Sequence, residues 1–296
     1  MEKANWQDIE KGLQKRYTDQ VDPWGFDYRA FLKGAKLLAP LYQNYFRVRV
    51  FGAENIPKKN FMAISNHSGQ IPIDGVLITL ATLFHSPNQR VLRSMVERFL
   101  VQTPFLGSLV AKAGSILGDR ENCRYLIERE ESILVFPEGV RGIAKSTSNF
   151  YQVQPFTTGF YRLCLEHRLP ILPIAVVGAE EMYPKVYHNK TLAKLLNIPA
   201  LPLTPLFPLL GPLGMLPMPA PIDIYFGKPI PIKLKKNASP DDIQKELKNL
   251  QQIIQSMINE NLPQKRPYLS FEEQQKLKKT FQQTLKQFLK YATRKI

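Results

Sequence analysis

The stretch "SNHSGQIPIDG" at residues 65–75 places a histidine and an aspartate between two apolar runs, "FMAI" and "VLITLATLF". One interpretation is a loop in which Asp74 caps the following helix, since aspartate is common at helix starts. The other interpretation is chemical: His67 acts as a general base, and Asp74 orients its imidazole ring. This stretch alone leaves both interpretations open.

Two more loops follow predicted strands and carry charged residues. Asp119 and Arg120 follow "AGSIL", and "PEGVRG" at residues 137–142 follows "SILVF". In an open α/β sheet, functional sites assemble at the carboxyl ends of the strands. The three loops are therefore expected to converge on one cleft that holds a base, a carboxylate and two arginines.

The elements that must position these loops alternate between strand-like and helix-like patterns. Strands are predicted by apolar runs or by strict alternation, and helices by apolar positions three or four residues apart. The predicted strands are 45–52, 61–65, 90–96, the end of "AGSIL", 132–136, 169–178 and 222–227. The predicted helices are 1–20, 28–44, 74–84, 104–114, 122–130, 157–167, 240–260 and 270–293. This alternation indicates an α/β fold: an αβα-layered, mostly parallel sheet with flanking helices.

Four blocks in this order resemble a known family. "NHSGQIPID", "GSILGDR", "FPEGVRG" and "LPILPIAVVGAEE" are similar to the ordered blocks of the glycerolipid (lysophospholipid) acyltransferases. "FPEGVRG" is the most specific of the four, and the resemblance runs from about residue 45 to residue 230. The run "AVVGAEEMYP" is more similar to the monoacylglycerol-type and plastid esterase-like members. The resemblance implies a glycerol-3-phosphate acyltransferase-like domain over 45–232, after a helical segment, 1–44, and before basic C-terminal helices, 233–296.

The resemblance also implies the reaction and its base. A fatty acyl group is expected to pass from acyl-CoA or acyl-carrier protein to the hydroxyl of a lysophospholipid or related glycerolipid. The thioester is a co-substrate, and the resemblance implies neither a resident cofactor nor a metal. His67 is expected to take the hydroxyl proton, with Asp74 as its orienting carboxylate.

The remaining site residues come from the second and third blocks. Arg120 and Arg141 are expected to hold a phosphate of the acceptor or of the donor's carrier, as arginine forks do. Glu138 is expected to order its loop by pairing with an arginine, and Gly139 belongs to the same binding loop. Backbone N–H groups near 67–70 or 139–142 are candidates for the oxyanion donor.

Two positions depart from the family pattern. The family's aspartate falls at Pro72, so a loop must bring Asp74 back to His67. Val140 replaces a threonine and removes a hydroxyl donor. Val140 favours an alternative acceptor, a neutral lipid alcohol such as monoacylglycerol or diacylglycerol. Pro72 favours a second alternative, a non-catalytic basic membrane-binding protein with the same fold.

The charge of the chain predicts an anionic membrane surface as a partner. The net charge is +15, and residues 227–296 hold 15 lysines and arginines against 6 acidic residues. The uncharged run 195–222 contains eight prolines, which exclude a membrane-spanning helix. The run is either a loop buried against the core or an extended loop that lines an apolar channel or inserts shallowly into the bilayer surface. Residues 270–293 predict a basic amphipathic helix with an apolar stripe at 277–292, which packs either on the domain or on a membrane. The predicted location is cytoplasmic, peripherally associated with a membrane.

Other functional classes find little support in the sequence. There is no recognisable nucleic-acid-binding module, so nucleic acid is not expected as a partner. No G-x-S-x-G elbow of a serine hydrolase occurs, and no histidine or cysteine cluster has metal-ligand spacing.

Overall fold

A computed structural model of the protein describes residues 5–17, 22–69, 71–103, 105–183, 187–188, 202–203 and 211–262. The predicted helix at 270–293 and half of the run 195–222 lie outside these residues. Among the described helices, none combines the length and apolar character needed to cross a membrane.

Nine helices and nine strands occur in the described residues. The helices are α1 (Trp6–Arg16), α2 (Tyr28–Pro40), α3 (Ile73–His85), α4 (Arg98–Gln102), α5 (Leu106–Lys112), α6 (Arg120–Glu128), α7 (Val140–Ile143), α8 (Gly159–His167) and α9 (Pro240–Asn261). The strands are β1 (Arg49–Phe51), β2 (Met62–Ser65), β3 (Leu92–Val96), β4 (Ile116–Leu117), β5 (Ser132–Val135), β6 (Ile171–Val177), β7 (Tyr187–His188), β8 (Pro202–Leu203) and β9 (Asp223–Phe226).

Seven strands form one mixed, mostly parallel sheet in the order β1-β9-β6-β2-β5-β3-β4. Strands β6, β2, β5, β3 and β4 are parallel, whereas β9 pairs with β6 antiparallel and β1 pairs with β9 parallel. The five parallel strands therefore end at one edge of the sheet, and β1 ends at the opposite edge. This is the predicted α/β sheet.

Each face of the sheet is covered by helices. Successive side chains on a strand point to opposite faces. On β2, Ala63 accordingly joins the apolar core with α1, α2 and α3, while Met62 and Ile64 join the core with α6, α8 and α9. Because helices cover both faces, the strands need apolar side chains on both faces. All seven residues of β6 are accordingly buried.

The predicted strand 45–52 is wrong in its first half. Residues Leu41–Tyr45 form a π-helical turn that continues α2, and only Arg49–Phe51 pairs as a strand. Arg47 has a φ of +44°, which interrupts an extended chain. The sequence analysis also missed α4, a five-residue helix between β3 and the predicted helix at 104–114.

Candidate active site

His67 and Asp74 are in direct contact at the carboxyl end of β2. Nδ1 of His67 lies 2.7 Å from Oδ2 of Asp74. Helix α3 begins only at Ile73, and Gly69 has a φ of +81°, a conformation that favours glycine. A continuous helix would have separated the two residues by about 10 Å along its axis. The described residues between them instead form a turn, which brings Asp74 back to His67.

Asp74 holds this turn and does not cap the helix. The N-cap residue of α3 is Pro72 and not Asp74, which lies one residue inside the helix, so the interpretation of Asp74 as the N-cap is wrong. Asp74 is fully buried, and its Oδ2 also accepts the Ser68 N–H at 2.9 Å. Its Oδ1 accepts the Gly75 N–H at 2.8 Å. One carboxylate therefore fixes both the backbone of the turn and the imidazole ring.

The contact with Asp74 determines which ring nitrogen of His67 is available for chemistry. A carboxylate accepts hydrogen bonds, so Nδ1 of a neutral His67 carries the proton and Nε2 has the free lone pair. The Phe136 ring stacks on the imidazole with centroids 4.1 Å apart and an interplanar angle of 20°. The His67 side chain is 11% exposed. The ring is thus held in one orientation with a basic Nε2, the arrangement that a general base needs.

The backbone of His67 is held by a buried ion pair from the third loop. The Glu138 Oε1 accepts the His67 N–H at 2.7 Å, and Lys145 Nζ donates to the His67 carbonyl oxygen at 2.9 Å. Lys145 Nζ also lies 3.0 Å from Glu138 Oε2, which accepts the Gln154 N–H at 2.7 Å. We refer to Glu138 and Lys145 as the charged clamp. The expectation that Glu138 pairs with an arginine is wrong, because its cationic partner is Lys145.

The charged clamp is buried, so the stability of its two ions depends on their pairing and on further hydrogen bonds. Glu138 and Lys145 are 1% and 4% exposed. Burying two charges costs several kcal/mol per ion, which close pairing and further hydrogen bonds offset. Both ions here make such bonds with the backbone. Removing one partner would leave an uncompensated buried charge directly behind His67.

Gly142 allows this loop to lie against His67. A Cβ atom at position 142 would come within 2.6 Å of the His67 Cβ and 3.0 Å of the Glu138 Cβ. Such distances are far below van der Waals contact. The glycine is therefore required by the close approach of the two loops.

The two arginines lie in different surroundings. Arg141 is exposed on α7; its Nη2 donates to the Pro155 carbonyl oxygen at 2.9 Å and its Nε to that of Glu138 at 3.4 Å. Arg120 begins α6, after β4, and pairs with Glu166 at 3.0 Å. Strand β4 is three strands from β2, a lateral separation of about 14 Å. The structure brings His67, Asp74 and Glu138 together, with Gly139 and Arg141 in the adjoining loop, and places Arg120 apart.

A family model described as "Acyltransferase" matches residues 47–177, which include all six predicted site residues. A protein of Limnanthes douglasii named 1-acyl-sn-glycerol-3-phosphate acyltransferase is 30% identical over 142 residues, covering 44% of this chain and 45% of the relative. Residues 47–177 belong to the acyltransferase family, and 1-acylglycerol-3-phosphate acyltransferases are among the relatives of this chain.

Longer matches extend over most of the chain. Uncharacterized proteins of Mycobacterium leprae and Mycobacterium tuberculosis are 34% and 32% identical to it, over 229 and 285 residues. These matches cover 74% and 94% of the chain, and 61% and 72% of the relatives. A bovine protein named "DGAT1/2-independent enzyme synthesizing storage lipids" is 25% identical over 150 residues, or 49% of the chain and 44% of that protein.

The fold has a solved counterpart. The crystal structure of the 1-acyl-sn-glycerophosphate acyltransferase from Thermotoga maritima matches with a TM-score of 0.50 and 17% identity. The match covers 80% of this chain and 88% of that one. The two proteins therefore share the α/β acyltransferase fold.

Two polar residues of the site were missed by the sequence analysis. Lys145 follows the recognised block by three residues, and only its burial and its contact with His67 mark it as important. Asn66 is fully buried; its side chain accepts the Val176 N–H at 2.8 Å and donates to the Val176 carbonyl oxygen at 3.0 Å. Asn66 thereby ties the end of β2 to β6 immediately before His67. Its position beside His67 in the first block was the available signal.

Behind the charged clamp lies a second buried acid. Burial raises the pKa of Glu180 to about 7, while the nearby positive charge of Lys145 lowers it. Oε1 of Glu180 accepts the Tyr151 N–H at 3.4 Å, and Oε2 has no hydrogen-bond partner among the residues that the structure describes. Protonation of Glu180 near neutral pH therefore relieves an unfavourable buried charge.

Several candidate oxyanion donors are engaged within the protein. The N–H groups of His67 and Ser68 donate to Glu138 and Asp74. Those of Gly139 and Gly142 donate to the carbonyl oxygens of Phe136 and Gly139. Within the described ranges, no cluster of three or more His, Cys, Asp or Glu residues could hold a metal ion.

Proposed function

We propose that the protein transfers a fatty acyl group from a thioester donor, acyl-CoA or acyl-carrier protein, to a hydroxyl group of a glycerolipid. The observation that carries the proposal is the 2.7 Å contact between His67 Nδ1 and Asp74 Oδ2. It leaves Nε2 of an oriented imidazole as a base at the carboxyl edge of the sheet. The same contact weakens the alternative of a non-catalytic protein, which rested on Pro72.

In the proposed reaction, the acceptor hydroxyl attacks the thioester carbonyl carbon while His67 Nε2 takes its proton. An alcohol is a poor nucleophile at neutral pH, so loss of this proton during attack lowers the barrier. Asp74 stabilises the imidazolium that forms. The new C–O bond forms as the C–S bond breaks, and the imidazolium returns the proton to the departing sulfur. No acyl-enzyme is needed, because the acceptor attacks directly.

The first candidate acceptor is a lysophospholipid, in keeping with the names of the plant relative and of the Thermotoga maritima enzyme. Arg141 is the residue best placed to bind its phosphate. Its guanidinium is exposed in the loop that packs on His67, and arginine forks suit phosphate oxygens.

A neutral glycerolipid is the second candidate acceptor. Val140 supplies no hydroxyl donor beside Arg141, and Arg120 is already paired with Glu166. Both features weaken phosphate recognition by these loops. The bovine relative's name, which refers to storage lipids, points in the same direction.

One assay tests the reaction and separates the acceptors. The purified protein is given an acyl-CoA and, in parallel, an acyl-carrier protein thioester, each with lysophosphatidate or with monoacylglycerol. Mass spectrometry of the lipid product and thiol release are measured together, with His67→Ala as the control. Product formed with one acceptor and lost in the control supports the proposal. Absence of transfer from both donors to both acceptors overturns it.

A further inference from the structure

Large apolar side chains are exposed mainly around the carboxyl edge of the sheet. Eleven large apolar residues are exposed in the described part of the chain, and nine of them belong to three segments that adjoin this edge. The first segment is α4–α5, the second is residues 211–218, and the third is the first turn of α3, which contributes Val76. By contrast, Phe51 is exposed at the end of β1, on the opposite edge.

The α4–α5 segment is the most exposed of the three. It follows the end of β3 directly, and it contributes five of the nine residues. Phe105 is 94% exposed and Leu109 is 67% exposed. Glu97, which precedes α4, lies beside Gly139: its Oε1 is 3.7 Å from the position of a Cβ at 139. The segment therefore lies next to the loop that carries Glu138 and Arg141.

Residues 211–218 lie on the other side of the His67 turn. Leu213, Leu216 and Met218 are 68%, 56% and 45% exposed. The Met218 N–H donates to the Met182 carbonyl oxygen at 2.9 Å. The Met182 side chain in turn packs against Gly69, with its Cε 3.0 Å from the position of a Cβ there. The two exposed segments thus flank the turn that holds His67.

We propose that the α4–α5 segment and residues 211–218 insert into the surface of an anionic lipid bilayer, so that the edge carrying His67 faces the membrane. This inference rests on the proposed function, since the acceptor would then be a lipid of that bilayer. Residues 99–111 and 211–222 contain no charged side chain, so their insertion buries no charge. Arg98 and Lys112 are exposed at the two ends of the first segment and can approach anionic headgroups.

A bilayer fits this surface better than a protein partner does. Any partner that bound both exposed segments would also lie over the His67 turn between them. A protein in that position would block access to the proposed base, whereas a bilayer supplies the acceptor there. The net charge of +15 further favours an anionic surface.

The first test is co-sedimentation with vesicles of phosphatidylcholine and phosphatidylglycerol. The double variant Phe105→Ser/Leu109→Ser removes two exposed apolar groups, and Phe51→Ser removes one of the same kind from the opposite edge. We expect the double variant to bind about tenfold more weakly and Phe51→Ser to stay within about twofold of the unmodified protein. Thermal unfolding verifies that each variant is folded. Equal binding by the double variant and the unmodified protein would overturn the proposal.

The second test locates residue 105 directly. In Phe105→Trp, tryptophan fluorescence is measured with vesicles whose acyl chains carry bromine, a short-range quencher. Trp6 and Trp24 contribute background, which the unmodified protein reports, and Phe51→Trp is the matched control. We expect quenching in Phe105→Trp and none beyond background in Phe51→Trp. Emission from Phe105→Trp that is already shifted to the blue without lipid, and that bromine leaves unchanged, would mean that protein covers the site.

Failure of the inference can be told apart from failure of the proposed reaction. The unmodified protein is also assayed with a short-chain, monomeric acceptor that requires no bilayer. Acyl transfer to this acceptor, together with vesicle binding that does not depend on Phe105 and Leu109, would refute the proposed membrane-binding surface alone. Vesicle binding that depends on these residues, without any acyl transfer, would refute the proposed reaction alone.

Discussion

The polar cluster around His67 and the apolar segments beside it are built in opposite ways. Around His67, Asp74, Glu138 and Lys145 are buried, and each makes at least two polar contacts. In α4–α5, by contrast, the Phe105 side chain is exposed to solvent. The first region is held by many buried contacts, so a change to any one disturbs the base. The second is held by few, so a change there is expected to affect what the protein binds more than how it folds.

The strongest test of this contrast is His67→Ala. Loss of the general base is expected to lower acyl transfer by about 100- to 10,000-fold. Because the contacts of Glu138 and Lys145 are with the backbone of His67, we expect the folded structure to persist. Steady-state turnover and circular dichroism are measured on the same preparation. Near-normal turnover by a folded His67→Ala protein would exclude His67 as the base.

Lys145→Met tests whether the charged clamp positions His67. Leaving Glu138 buried without its cation is expected to cost about 3–5 kcal/mol of unfolding free energy. We expect kcat to fall while the KM for the thioester donor stays within about twofold, since Lys145 is buried and contacts the backbone of His67. Denaturant unfolding and saturation kinetics provide the two measurements.

A double variant, Glu138→Gln/Lys145→Met, serves as the matched control for the clamp. Removing both charges is expected to restore much of the stability, because no buried charge remains unpaired. If kcat recovers as fully as stability does, the clamp is structural only. If kcat stays low while stability returns, the clamp positions the base.

Glu180→Gln tests the acid behind the clamp. The pKa of Glu180 in the folded protein, about 7, exceeds its ordinary value of 4.5. The folded state therefore binds this proton more tightly, and its contribution to stability is present at acidic pH and is lost as pH rises towards and through 7. We expect Glu180→Gln to be more stable than the unmodified protein at pH 8, by about 2–3 kcal/mol. Parallel stability curves from pH 5 to pH 8 would contradict this.

Asp74→Asn removes the carboxylate that orients His67. The amide can donate a hydrogen bond to Nδ1 and so favour the wrong tautomer, with the proton on Nε2. Turnover is expected to fall at least about tenfold. The pH profile of kcat/KM should also change, because the imidazolium loses its stabilising charge. An unchanged rate and profile would show that the 2.7 Å contact has no part in the reaction.

The smallest effect is expected for Arg141→Lys, which lies at the boundary of the two regions. A planar fork is replaced by a point charge, so the KM of a phosphate-bearing substrate is expected to rise about threefold to tenfold. Donor and acceptor constants are measured separately, with monoacylglycerol as the acceptor that lacks a phosphate. Unchanged constants for every substrate would refute phosphate binding by Arg141.

Much of the fold could be predicted from local pattern. The strands at 61–65, 132–136 and 169–178 are continuous apolar runs, and the structure confirms each within about one or two residues. The strand at 45–52 was misjudged because alternation of Val48 and Val50 resembles a strand pattern, whereas the backbone at Arg47 is not extended. Helix α4 has only five residues, too few for a periodic pattern.

The sequence predicted most residues of the site but only some of the contacts between them. His67 and Asp74 are seven residues apart, and Gly69 between them indicated a turn that could join them. The partner of Glu138 was expected to be an arginine, but Lys145 is the cation that shares its buried position. Arg120 was expected near the base, yet the strand order places it at the far side of the sheet, paired with Glu166.

The sequence by itself determined the order of most strands and helices, the resemblance to a family, and the residue types available at the carboxyl edge. These follow from apolar periodicity and from short motifs, which are properties of neighbouring residues. Only the tertiary structure decided which of those residues meet. The clamp joins positions 67, 138 and 145, whose approach depends on β2 pairing with β5 and on the absence of a side chain at Gly142. Contacts between residues more than seventy positions apart depend on packing, because no local pattern records the distance between two loops.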